Sequence, residues 1–137
     1  VTAVLRVVSF GGQGAAGTDF EFLRFELRRP GRCMLSGYPG VTLLDGQRRY
    51  NVHVGRYPAN HLRTVQLEAD HPAYFGLVFQ GASPTTGRPC HGKITGLRVI
   101  PPNDRQALSV KLTPRPLVYV CLQSVQVEAV RSTSAPN

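Results

Sequence analysis

The sequence has no tryptophan, one methionine, three cysteines and only eight carboxylates, and each shortage excludes something. Without tryptophan, the broad aromatic platform that carbohydrate sites favour is missing. Cys33, Cys90 and Cys121 include no Cys-x-x-Cys pair, whereas a structural zinc site takes four nitrogen or sulfur ligands at tight local spacings. Eight carboxylates leave few pairs for acid–base catalysis. Asp45 belongs to a turn, where its side chain serves the local backbone. Glu21, Glu26 and Glu128 fall on strands and are expected to face solvent, and Glu68, Asp70 and His71 read as a solvated strand end. There is no Gly-x-Ser-x-Gly elbow, and Gly11-Gly12-Gln13-Gly14 lacks the Lys-Ser/Thr that a phosphate loop needs. No two of His53, His61, His71 and His91 have i,i+2 or i,i+4 spacing. His91 beside Cys90 makes no catalytic dyad, because adjacent side chains on an extended chain point apart. The expectation is a protein that is not an enzyme and holds no metal or cofactor. No apolar run approaches the roughly 18–20 residues of a membrane-spanning helix.

What is present is a globular composition. Of the 137 residues, 42% are hydrophobic and 18% charged, which is too apolar for intrinsic disorder and the right length for one domain. We assign residues 1–130 to that domain and 131–137 to a polar tail. The net charge is +8, from 16 basic residues of which fourteen are arginine and two lysine. They are scattered, with no block of five like charges. That distribution predicts diffuse attraction to anionic surfaces and no specific nucleic-acid binding.

Period-two alternation dominates the chain. Leu23, Phe25 and Leu27 share one face of a strand over residues 20–29, with Arg24, Glu26 and Arg28 on the other. The run from Tyr74 to Gln80 is almost continuously apolar and reads as a central strand covered on both sides. Asp45-Gly46 marks a hairpin between 41–44 and 47–50, and Pro39-Gly40 suits a type II turn from Tyr38 to Val41. Residues 11–19 read as a glycine-rich loop and 51–61 as irregular. Further strands follow at 64–69, 94–100, 107–112 and 117–130. About nine short strands between Gly/Pro turns, with no βαβ spacing, predict an all-β, immunoglobulin-like antiparallel β-sandwich.

From the residues alone, two states of the cysteines are open. Cys90 and Cys121 could bridge, closing a loop of about thirty residues and stabilising by roughly 3.5–4 kcal/mol in the chain-entropy model. Alternatively all three cysteines are buried free thiols. Three segments then carry a resemblance: RPGRCMLSGYPGVTLLDG (29–46), GRPCHGKITGLRVIPPND (87–104) and VCLQSVQVEAV (120–130). Together they resemble an actinobacterial family known as domain of unknown function 4232. The most specific piece is Cys-x-Leu-x-Gly-Tyr-Pro-Gly-Val, here Cys33 to Val41. The resemblance implies a secreted or envelope protein, lipid-anchored in some members through a segment ahead of the domain. It also implies a disulfide between Cys90 and Cys121. The family partner of Cys33 lies before the first strand, where Val1-Thr2-Ala3-Val4 has no cysteine, so Cys33 is unpaired or paired upstream of Val1. The resemblance implies no activity.

The preferred functional expectation is an extracytoplasmic binding domain for an unidentified protein or envelope component, using loops at one end of the sandwich. The candidate loops are 51–61 and 81–92, with Tyr38, Tyr57, His61 and Arg88 as handles, and Arg48, Arg49 and Tyr50 as a basic, aromatic edge. The alternatives are an accessory envelope domain with no dedicated ligand and, behind it, an undetected hydrolase. The bridge has a direct check. Intact mass should rise by about two hydrogens on reduction, and an unchanged mass refutes it.

Overall fold

A computed structural model of the chain describes residues 4–15, 18–49, 52–59, 61–81, 93–112, 117–118 and 122–133. Thirteen strands run through them: β1 (Leu5–Ala15), β2 (Thr18–Leu27), β3 (Cys33–Ser36), β4 (Gly40–Asp45), β5 (Arg48–Arg49), β6 (Val54–Arg56), β7 (Thr64–Leu67), β8 (Ala73–Gly81), β9 (Lys93–Ile94), β10 (Gly96–Ile100), β11 (Leu108–Lys111), β12 (Leu117–Val118) and β13 (Leu122–Val127). One sheet has the order β1-β2-β8-β13-β6. Against it lie a four-stranded sheet, β11-β10-β4-β5, and the ribbon β3-β7, while β9 pairs with β12. Leu23, Phe25, Phe75, Leu77 and Phe79 from the first sheet share one buried cluster with Leu35, Leu43, Val65, Leu67, Leu97 and Val99 from the others. The protein is all-β, with sheets antiparallel except for one parallel pair, β13–β6, in a sandwich-like arrangement.

β2 and β8 form the centre because their patterns allow it. In β2 the buried positions alternate, as period two requires. In β8, Phe75, Leu77 and Phe79 are fully buried on the core face, and Val78 on the opposite face is buried as well. Phe25 stacks on Phe75 with ring centroids 5.0 Å apart, a diagonal pair in the β2–β8 register. On the outer face Phe10 packs against Phe22 and Tyr74, at 6.2 and 5.8 Å between centroids, and the Arg24 guanidinium covers Phe10 at 5.1 Å.

The structure departs from several sequence expectations, each for a local reason. The stretch read as a loop over 11–19 is mostly strand, paired Gly11↔Phe22, Gly12↔Glu21 and Gly14↔Asp19 after a bulge between Ser9 and Gly11. Ladders are made of backbone, so glycine joins one where the neighbouring chain comes close. A Cβ at Gly12 would stand 2.9 Å from Glu21 Oε2 and 3.0 Å from the Phe20 carbonyl oxygen. The hairpin at 45–46 forms, but Asp45 pairs with Arg48, so its turn residues are Gly46 and Gln47. The type II turn at Pro39-Gly40 does not form: Gly40 opens β4, and the left-handed residue is Gly37, at φ 101°. The segment 51–61, read as irregular, contains β6, which pairs with β13 in parallel. Arg131, assigned to the tail, is buried, and its backbone pairs with Tyr74 in both directions at 2.8 Å.

Gly76, in the middle of β8, is a notch. The Glu128 carboxylate lies over it, and a Cβ there would overlap Glu128 Oε1. Alanine normally gains about 0.5–1 kcal/mol over glycine in a strand. Here Gly76→Ala should instead destabilise by about 1–3 kcal/mol. In a Glu128→Ala background the same change should become neutral or stabilising, a coupling that a denaturant double-mutant cycle measures.

Candidate functional site

Parallel strands leave a sheet at the same end, and the β6–β13 pair therefore sends two chain segments off side by side. The pairing continues past the strands, with the Tyr57 amide donating to the Val127 carbonyl at 2.8 Å. Between residues 57–63 on one side and 128–131 on the other lies a cleft of about 310 Å³. Tyr57, His61 and Arg63 face Glu128 and Arg131 across it.

Both walls are tied to the sheets. The Tyr38 hydroxyl donates to the Tyr57 carbonyl at 2.7 Å, and the Arg56 guanidinium sits over the Tyr38 ring at 5.0 Å. On the other wall, the Val130 amide donates to the Gly37 carbonyl at 2.9 Å. Arg131 and Glu128 form an ion pair at 2.5 Å with side chains only 9% and 17% exposed, and Arg131 Nε donates to the Thr133 carbonyl at 3.0 Å. A pair this shielded holds the wall in one geometry and presents no net charge. The opposite wall is open: Tyr57, His61 and Arg63 are exposed. Arg63 Nε donates to His61 Nε2 at 3.3 Å.

Of the sequence candidates, the structure brings Tyr57 and His61 together. Tyr38 is behind them as a brace, its hydroxyl already donated, and is half-buried rather than an exposed stacking ring. Arg48 and Arg49 form β5 at the edge of the four-stranded sheet and do not line the cleft. Tyr50, Arg88, Cys90 and Cys121 lie outside the described residues. Cys33 is a buried free thiol whose pKa burial pushes up, the opposite of an activated nucleophile. Sequence reading missed Arg63, Glu128 and Arg131. The Glu128-x-x-Arg131 spacing just after the last strand was the available signal for two of them.

Two further carboxylates differ from expectation. Glu26 is paired with Arg6 at 2.8 Å and with Arg24 at 2.5 Å. Glu21 is buried on the core face, because it shares the parity of Leu23 and Phe25. The Ser9 hydroxyl donates to it at 2.5 Å. Burial pushes the Glu21 carboxyl up to about 6 and Asp19 nearby adds to the rise, against the pull of the Ser9 hydrogen bond.

Fold and cleft together define an all-β, sandwich-like domain with a recess of mixed polar and apolar lining where two strands exit in parallel. The chain belongs to the family described as Domain of unknown function (DUF4232), whose model matches residues 1–131. No curated protein and no solved structure matches the chain.

Glu21 yields a pH prediction. The folded protein holds this proton more tightly than the unfolded chain, whose carboxyl titrates near 4.5. Its contribution to stability is therefore greatest below pH 4.5 and declines as the pH rises through about 6. Glu21→Gln should remove that slope and raise stability at neutral pH by about 1 kcal/mol. Urea denaturation of both proteins between pH 4.5 and 7 reads the difference.

Proposed function

We propose that this protein is an extracytoplasmic binding domain, not an enzyme, and that its ligand-facing end is the cleft of Tyr57, His61 and Arg63. The observation that carries the reading is the convergence, beside a braced and charge-neutral wall, of an exposed phenol, an imidazole and a guanidinium. Such a group recognises without reacting. Tyr57 offers a ring face and a hydroxyl, His61 a ring N–H, and Arg63 a planar fork of donors suited to a carboxylate or a backbone carbonyl. Aromatic and arginine side chains on a rigid frame are also the residue types that dominate binding energies at protein interfaces. The compartment follows from the resemblance to secreted and lipid-anchored actinobacterial envelope proteins and from the expected Cys90–Cys121 bridge, which an oxidising setting would preserve. The partner is then a protein or another component of the cell envelope.

The test is retention from envelope extract on the immobilised protein. A species held by the wild type should be lost about tenfold or more with Tyr57→Ala/Arg63→Ala, a double change at exposed positions that spares the core. Equal retention by the two proteins removes the cleft from the function.

A further inference from the structure

The four-stranded sheet has a second face, and its chemistry is unlike that of the cleft. Leu43, Leu97 and Val99 point into the core. In the register Gly96↔Lys111 and Arg98↔Ser109, alternation puts Arg98, Ser109 and Lys111 on the opposite, exposed face. Arg98 and Lys111 are diagonal neighbours on adjacent antiparallel strands, where long side chains reach one another. Gly96 lies directly opposite Lys111 and is buried. The result is a groove of about 960 Å³. Arg98, Lys111 and Ser109 line it together with Gln47 and Thr95, and Leu44, Leu97, Val110 and Leu112 make much of its floor apolar.

No carboxylate is among the described residues that line this groove. Elsewhere in the structure arginines find acids: Arg6 and Arg24 hold Glu26, Arg32 approaches Glu68, and Arg131 holds Glu128. Arg98 and Lys111 hold none among the described residues. Thr95 is committed, accepting from the Gly46 amide at 2.8 Å and donating to the Leu44 carbonyl at 3.4 Å. The side chains of Ser109 and Gln47 make no hydrogen bond to a described residue. Two cations, a hydroxyl and an amide thus border one recess with no described residue taking up their side-chain donors.

We propose that this groove is a binding site for a phosphate group carried by an organic ligand, distinct from the cleft of Tyr57. A carboxylate has two acceptor oxygens, whereas a phosphate offers three or four in a tetrahedral array. That array fits an arginine fork, a lysine point charge and the flanking neutral donors at once. Leu44 gives the organic part an apolar neighbour.

The experiment titrates the isotope-labelled full chain with sn-glycerol 3-phosphate, and in a second arm measures co-sedimentation with phosphatidylglycerol vesicles against phosphatidylcholine vesicles. Arg98→Ser/Lys111→Ser is compared with Arg28→Ser/Arg29→Ser, which removes the same two charges from exposed positions after β2. Thermal melts of both variants should match the wild type, since none of the four side chains has a described ion-pair partner. In the wild type, amides of Gly96, Arg98 and Ser109 should shift with glycerol phosphate, or the protein should sediment with the anionic vesicles. The first outcome assigns a soluble phosphate and the second a lipid headgroup. The groove variant should bind about tenfold more weakly, and the control should stay within about twofold of wild type. Equal weakening by both variants would reduce the effect to bulk charge and overturn the site, as would the absence of binding in both arms.

Discussion

β8 is covered on both faces, and the other elements take their places from that condition. On the core face its phenylalanines and leucine meet the second layer. On the outer face Val78 is buried too, and Gly76 leaves a hollow that the Glu128 carboxylate fills. A strand sealed on two sides must have hydrogen-bonded neighbours along both edges, because its backbone groups have no water to turn to. β2 and β13 supply them. The segment after β13 is then drawn back across β8 by the Arg131–Tyr74 bridge, and that return builds one wall of the cleft. The recess at the surface is a consequence of how the centre is closed.

Legibility in the sequence followed the source of each element's stability. β2 and β8 are held by side-chain burial, so their patterns of alternation and continuous hydrophobicity were readable. β6 is held by three backbone pairings to β13, and nothing in Val54-Gly55-Arg56 announces a partner more than sixty residues away. The glycines of β1 were deceptive for a related reason. Composition cannot separate a glycine that frees the chain from one that lets two backbones approach, and Gly12 is the second kind. Glu21 was a different failure. Its parity with Leu23 and Phe25 placed it inward, but its charge argued outward, and the geometry of the strand prevailed over the preference of the side chain.

The site was half visible. Tyr57 and His61 were identifiable as turn-borne aromatic and ionisable groups in a loop. Arg63 was one arginine among fourteen, and only the parallel exit of β6 and β13 brings it near Glu128 and Arg131. Tyr38 shows the reverse case, a residue chosen for its ring that works through its hydroxyl as a brace. The basic surplus, diffuse in sequence, divides into four arginines that hold acids and eight with no ion pair to a described residue.

Among the described residues, β5 closes one side of the four-stranded sheet with two, both arginine and both exposed. β6 ends the other sheet after three. A strand edge is a template on which a second chain can crystallise into fibrils, and its danger grows with length and apolarity. Here two margins are short, and one of them repels its own image, so stacking of copies through that border is disfavoured even in a crowded layer. The arginine pair, which has no place in the cleft, guards the molecule against its own kind.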